Sequence, residues 1–162
     1  MTIDSGIEPV TVIENIAAWE LAHNGFDLTS FDSFFDGSED LIVLKIGENV
    51  SNFNNYEANY TLLVEYLISK APSARVIICG SFWINETIDT AHKNVADLLG
   101  LPFVKLSQLD APIYKSTVDT QVFGDDGNWH TISDGGAISG GVANHPGDLG
   151  MQEIANAVFF VL

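Results

Sequence analysis

The sequence predicts an α/β fold in which helices cover both faces of a parallel β-sheet, giving three α/β/α layers. Short apolar runs rich in β-branched residues alternate with segments of helical periodicity, and breakers separate the two. Hydrophobic residues make up 46% of the 162 residues, which is enough to bury the core of one domain spanning residues 1–162. Residues 1–9 show neither pattern, and we expect them to be flexible.

The strand predictions rest on apolar runs that end in turn-forming residues. The run at 40–47 is nearly continuous in apolar residues, as expected for a strand that is covered on both faces. The other runs are shorter but also rich in Val, Ile or Phe. The four predicted strands are 10–13, 40–47, 75–80 and 102–106.

The helix predictions rest on apolar residues spaced by three and four. One helix begins at Tyr56 and ends before Pro72, a second spans 87–99 and stops at Gly100, and a last one begins at Asp148. A short helix is predicted at 16–22. The pattern fades over residues 107–144, which we expect to form loops.

The charge balance excludes several classes of partner. There are 22 Asp and Glu against six Lys and Arg, so the formal net charge is −16. Such a chain repels the phosphates of nucleic acids and the anionic surface of a membrane. No apolar run approaches the roughly 20 residues that span a bilayer. We therefore expect a neutral small molecule rather than nucleic acid or a membrane.

Nothing in the sequence points to a cofactor, a metal or a particular compartment. The single Cys79 lies in an apolar run and is predicted to be a core residue. No glycine-rich phosphate loop follows a strand, and the acidic turn at 125–126 lacks the spacing of a calcium loop. No signal peptide is visible, so a cytoplasmic and a secreted protein both remain open.

Polar residues that could carry chemistry follow the predicted strands, where parallel sheets bind ligands. Asn49 can present its side-chain amide to charge developing on a substrate oxygen, although asparagine is also an ordinary turn residue. His145, in the loop before the last helix, can exchange protons near neutral pH; a loop-stabilising surface histidine is the alternative. Glu48 and Trp83 are candidate substrate contacts, with packing as the alternative for Trp83.

Two stretches resemble sequence blocks of the SGNH hydrolases, the GDSL-type esterase and lipase superfamily. Residues 41–50 resemble the block in which a strand ends in Gly-x-Asn-Asp, and Asn49 matches its oxyanion-donating asparagine. Residues 144–151 resemble the final block, in which a His before Pro is the general base, and His145 matches it. The resemblance runs from about Val10 to the end. It implies a flavodoxin-like parallel sheet and serine-esterase chemistry without a metal or cofactor.

The sequence departs from the family pattern at its front. We find no counterpart before Val10 of the family's first strand, with its Gly-Asp-Ser or Gly-Asn-Ser nucleophile block. Ser5 lies in a similar tripeptide, Asp-Ser-Gly, and is the candidate nucleophile; a flexible N-terminal serine is the alternative. The glycine of the second block is not evident, so a backbone N–H of Ala17 or Ala18 would replace it as an oxyanion donor. Val142 stands where the family commonly has an Asp, so a carbonyl or another acid would orient the imidazole.

The resemblance implies an ester hydrolase that removes acyl groups, such as acetyl, from a carbohydrate or another small ester. A serine would attack the ester carbonyl, His145 would act as base and then as acid, and Asn49 would stabilise the oxyanion. We expect the chain to be impaired as a catalyst, because the nucleophile block is missing.

The alternative is a non-catalytic binding or interaction module that keeps the same scaffold; a chain that has lost its upstream block is a third explanation. The loss of the first strand also predicts an exposed sheet edge. A homo-oligomer or another partner could form there by strand addition.

Overall fold

The computed structural model describes residues 10–124, 126–132 and 143–162. Within these residues the chain is a mixed α/β structure with a three-stranded parallel sheet and a separate antiparallel hairpin. The strands of the parallel sheet are β1 (Leu41–Lys45), β2 (Arg75–Cys79) and β3 (Phe103–Val104). The hairpin consists of β4 (Gln121–Phe123) and β5 (Trp129–Thr131).

The α-helices begin and end within one or two residues of where the sequence pattern predicted them, apart from the last, which ends at Phe159. They are α1 (Ala17–Ala22), α2 (Tyr56–Lys70), α3 (Glu86–Leu99) and α4 (Asp148–Phe159). Local chemistry explains the ends of α3: the Asn85 carboxamide accepts the Ile88 N–H at 3.2 Å, and Gly100 ends the helix in the left-handed conformation. Across the described ranges, every helix is too short or too polar to cross a membrane.

The parallel sheet has the strand order β1-β2-β3, and a helix connects each strand to the next. Val43 is in register with Ile77, and Ile78 with Phe103. The crossovers are α2 between β1 and β2 and α3 between β2 and β3. This arrangement confirms the predicted parallel sheet and places the carboxyl ends of all three strands at one edge.

Helices cover the two faces of the sheet through separate hydrophobic cores. On one face, Leu44 and Ile78 pack with buried side chains of α2 and α3. On the other face, Ile77, Cys79 and Val104 pack against Ile154 of α4. Cys79 is fully buried, as predicted, and burial raises the pKa of its thiol to about 11. The result is compatible with three α/β/α layers.

The predicted strand at 10–13 is wrong. These residues form no strand, and Val10, Val12 and Ile13 are strongly exposed. A β-branched run favours the extended conformation, but only a neighbouring strand can supply its backbone hydrogen bonds, and none lies alongside it among the described residues. The strand predicted at 102–106 is reduced to two residues. The predicted loop at 107–144 contains two short 3₁₀ helices, Ser107–Leu109 and Pro112–Tyr114, and the β4–β5 hairpin. A further 3₁₀ helix spans Leu28–Phe34.

The start of α4 packs closely against the 3₁₀ helix Pro112–Tyr114. The Tyr114 carbonyl accepts the Gly147 N–H at 2.9 Å. A Cβ on Gly150 would collide with the same carbonyl and would lie 3.2 Å from the Cβ of Pro146. Glycine at 150 therefore allows α4 to approach this segment and fixes the loop that precedes the helix.

We expect Gly150→Ala to lower the free energy of unfolding by about 2 kcal/mol, because the collision outweighs the roughly 1 kcal/mol that alanine adds in helix propensity. Urea denaturation followed by circular dichroism measures the change. Asn156→Ala, at an exposed position of the same helix, is the matched control and should not destabilise the protein. A Gly150→Ala protein as stable as the wild type would contradict the close packing of α4.

Candidate functional site

The candidate site lies where the loops after β1 and β2 meet the loop before α4. Asn49 follows β1, Trp83 follows β2, and His145 precedes α4. All three therefore lie at the carboxyl-terminal edge of the sheet, as the sequence predicted.

The turn after β1 requires glycine at position 47. Gly47 has a φ of 114°, and a Cβ there would lie 2.6 Å from Cγ2 of Ile88 and 3.3 Å from Cε1 of His92. Any side chain would be strained by the backbone and would collide with α3. The chain therefore turns sharply against α3, and the Gly47 N–H faces α1.

Glu20 of α1 holds this turn, and the sequence analysis missed it. Its carboxylate accepts the Gly47 N–H and, at 2.6 Å, the Nδ2 amide of Asn49, while only 4% of the residue is exposed. A buried carboxylate needs such donors, because charged side chains are rarely buried without partners. The one available signal was an acidic residue inside the otherwise apolar helix Ala17–Ala22.

Asn49 is exposed at the carboxyl end of β1, with its amide group held in place. The side-chain nitrogen carries two N–H groups, and one of them is donated to Glu20. Among the described residues, Glu20 is the recorded partner of this nitrogen. Asn49 lies in a turn, as its alternative interpretation expected, and the predicted donor role stays a prediction.

Ala17 and Ala18 lie on α1, the helix that contacts Asn49 through Glu20. The Ala17 N–H already donates to Oδ1 of Asn15 at 2.9 Å, and this hydrogen bond competes with its predicted use as an oxyanion donor. The Asn15 side chain pairs it because the first N–H groups of a helix have no partner within the helix. Ala18 is the second residue of α1 and is exposed.

Glu48 joins two loops instead of facing open solvent. Its Oε1 lies 2.6 Å from Nζ of Lys45 and accepts the Phe82 N–H at 3.3 Å. The side chain is partly buried, so these contacts constrain the loops after β1 and β2 relative to each other. The predicted role of Glu48 as a substrate contact thus competes with a structural one.

His145 and Trp83 lie side by side. The two rings are nearly perpendicular, with centroids 4.9 Å apart, and Nε1 of Trp83 donates to the Asn144 carbonyl at 3.2 Å. The His145 carbonyl accepts the Ser116 N–H at 2.8 Å, which fixes the loop from a second side. The His145 ring is exposed on a loop that is held in place.

The candidate residues do not form a catalytic triad within the described part of the chain. No hydrogen bond or ring contact joins Asn49 to His145, and no hydroxyl or carboxylate bonds to the His145 ring there. Ser81 after β2 and Ser116 beside the loop are both buried. Ser5, the candidate nucleophile, and Val142 lie outside the described residues.

The buried His92 lies behind Gly47 and stays neutral. Its ring stacks on Tyr60 with centroids 4.1 Å apart; Nδ1 donates to the Cys79 carbonyl at 2.9 Å, so Nε2 accepts the Tyr56 hydroxyl at 2.8 Å. Burial lowers the pKa of the imidazole to about 4. His92 is therefore a core histidine whose two ring nitrogens both have partners.

A groove of about 470 Å³ opens between the N-terminal ends of α2 and α3. Both helices begin where the loops after β1 and β2 end, so the groove belongs to the same edge of the sheet as Asn49. It combines an exposed aromatic ring with carboxylates and hydroxyls. Its lining consists of Phe53, Tyr56, Glu57, Glu86, Thr87, Thr90 and Ala91.

Within the described ranges, no group of three or more His, Cys, Asp or Glu side chains could hold a metal ion. Comparison with protein-family models, curated proteins and solved structures found nothing that resembles this chain at a significant level. The function is therefore argued from the site itself.

Protonation of His92 should make stability depend on pH. The folded-state pKa of about 4 lies below the unfolded value of 6.5, so the unfolded chain binds the proton more tightly. The stabilisation is fully present above pH 6.5 and is lost as the pH falls toward 4, by up to about 3 kcal/mol. Urea denaturation across this range should show a shallower pH slope for His92→Gln. Leu98→Gln, at an exposed position of the same helix, should keep the wild-type slope. Equal slopes for the wild type and His92→Gln would contradict the prediction.

Replacing the Glu20 carboxylate should loosen the turn after β1. Glu20→Gln replaces one acceptor oxygen by a donor, which leaves either the Gly47 N–H or the Asn49 amide without a partner and costs about 1–3 kcal/mol. A double-mutant cycle with Asn49→Ala should give a coupling energy of about 1 kcal/mol. Glu57→Gln is the control, because Glu57 accepts a hydrogen bond from Asn94 at the surface. If the effects of Glu20→Gln and Asn49→Ala on the free energy of unfolding simply add, the hydrogen bond between the two side chains is contradicted.

Proposed function

We propose that this chain has an SGNH-type hydrolase scaffold, with a flavodoxin-like parallel sheet, and that its site serves ester chemistry on an acylated carbohydrate or another small neutral ester. The observation that carries the proposal is the Asn49 amide, exposed at the carboxyl end of β1 and held by the buried Glu20. The exposed His145 at the same edge supplies the second group that such chemistry requires.

The roles of the two residues follow from their chemistry. Neutral imidazole takes a proton from a hydroxyl nucleophile and returns it to the leaving alcohol, which suits the exposed ring of His145. The free N–H of Asn49 donates a hydrogen bond to the carbonyl oxygen as negative charge develops on it. Both steps need an accessible hydroxyl beside the imidazole.

The expected rate depends on whether a hydroxyl lies beside the His145 ring. Among the described residues Ser81 and Ser116 are buried. If no residue outside the described ranges supplies a hydroxyl, catalysis would come only from binding and oxyanion stabilisation, which retain about 10³-fold acceleration over water in a triad enzyme that has lost one member. On this basis we expect the proposed activity to be slow.

A non-catalytic binding module is the second candidate, and the groove between α2 and α3 favours it. Its volume of about 470 Å³ falls within the range of small-ligand pockets, and its lining pairs the exposed Phe53 with the hydroxyls of Thr87 and Thr90. An aromatic face with nearby hydroxyls and carboxylates suits a polyhydroxylated ligand. Such a ligand would be neutral, because the net charge of −16 repels anions.

We expect slow, saturable hydrolysis of p-nitrophenyl acetate. Asn49→Ala and His145→Ala should each lower the rate by about tenfold or more, because each removes one of the two proposed groups. His130→Ala is the control and should match the wild type, since His130 lies in the hairpin and bonds to Asp126.

Three outcomes separate the alternatives. Equal rates for the wild type and both site variants would contradict the proposed ester chemistry. Fast turnover that is lost in His145→Ala but unchanged in Ser5→Ala would contradict the expectation that the nucleophile block is missing. Calorimetric binding of a partly acetylated xylo-oligosaccharide, with no acetate released, would favour the binding module.

A further inference from the structure

The outer edge of β1 has no neighbour in the described part of the chain. β1 pairs with β2 along one side, and the sheet ends there with the order β1-β2-β3. An edge strand exposes unpaired N–H and C=O groups that can accept a further strand. Native proteins commonly protect such edges, for example by covering them with a helix or a loop.

One face of β1 is only partly covered by the residues that the structure describes. Leu41 and Val43 point to the same face and are 40% and 43% exposed, whereas Ile77 and Cys79 on that face of β2 are fully buried near α4. The cover supplied by α4 therefore stops at β2. An apolar strip along β1 remains in contact with solvent.

Further apolar side chains are exposed at the end of α4. Arg75 of β2, which is in register with Leu41, donates hydrogen bonds to the carbonyl oxygens of Val161 and Leu162. This contact holds the C-terminal end of the chain at the start of β2, and Phe160 at that end is almost completely exposed.

The same chain exposes a segment that fits a strand edge. Val10, Val12 and Ile13 are 93%, 70% and 90% exposed, and their β-branched side chains favour an extended backbone. The segment has no strand partner among the described residues, and β1 lacks a partner on one side. The segment could therefore supply the strand that the edge of β1 lacks, and the edge could supply the backbone partners that the segment lacks.

We infer that two copies of this chain form a reciprocal dimer in which residues 10–13 of each copy pair along the outer edge of β1 in the other. Pairing satisfies backbone groups of both segments and buries Val43 against the incoming valines. The exchange is symmetric, so two contacts close the assembly without leaving a free edge for a third copy. The second copy is the occupant because this chain itself carries both halves of the contact.

Charge makes the dimer sensitive to salt. Each copy has a net charge of −16, so two copies repel each other, and the apolar contact must overcome this repulsion. Salt screens this repulsion. The screening length is about 10 Å at 0.1 M salt and becomes shorter as the salt concentration rises. Association should therefore strengthen with added sodium chloride, opposite to the behaviour of an interface held by ion pairs.

Sedimentation equilibrium of the full chain tests the dimer, with a monomer of 17.6 kDa as the reference mass. We expect dimers whose dissociation constant falls as salt is raised to about 0.5 M. Val12→Pro removes a pairing N–H from an exposed segment outside the core, and Val43→Glu places a charge on the open strand. Each should weaken association by about tenfold or more, whereas the control Leu98→Glu, at an exposed position on α3, should not.

Mixing the two variants tests reciprocity. A heterodimer of Val12→Pro and Val43→Glu retains one intact contact, because one chain keeps its edge and the other keeps its segment. Where a single substitution already abolishes the contact that it enters, the homodimers keep no intact contact, and the mixture should associate more tightly than either variant alone. A protein that stays monomeric at about 100 μM in high salt overturns the inference, and so does a dimer that both substitutions leave unchanged. Circular dichroism checks that each variant is folded.

Discussion

The candidate site depends on the buried carboxylate of Glu20. A charge with 4% exposure is tolerated only where donors surround it, and its donors here, the Gly47 N–H and the Asn49 amide, both belong to the turn after β1. The burial of this charge, the shape of the turn and the position of α1 therefore depend on one another. This coupling turns a short six-residue helix, which would be unstable alone, into one wall of the site.

The opposite side of the same turn is set by α3. Ile88 and His92 lie where a side chain at position 47 would have to fit, and neutral His92 fills that space while bonding to the Cys79 carbonyl and the Tyr56 hydroxyl. Gly47 is thus enclosed between α1 and α3. The close packing at Gly47 joins β1, α3 and the turn that carries Asn49. Loss of this packing would therefore disturb both the core and the position of Asn49.

Sequence reasoning succeeded where the information was local. The helical spacing that begins at Tyr56 and the apolar run before Gly80 predict α2 and β2, because each periodicity depends on neighbours in the chain. It failed at Val10, Val12 and Ile13, because strand propensity cannot supply a partner strand. Asn49 and His145 were placed at the correct edge by strand topology alone. The partner of Asn49 was missed, since Glu20 is brought to it from 29 residues away by packing.

Glu20 both supports and limits the proposed role of Asn49. A carboxylate bonded to one N–H fixes the amide, which helps to orient a neutral carbonyl or hydroxyl, but its charge also opposes negative charge on the oxygen that the second N–H contacts. In the proposed ester chemistry, oxyanion stabilisation would therefore be weaker than that of an amide with no carboxylate beside it. The compensating charge at this edge would come from His145, which becomes cationic when it takes the proton of a nucleophile. The proposed ester hydrolysis would thus need proton transfer to His145 to accompany attack, whereas the proposed binding of a neutral ligand would need only the position of the amide.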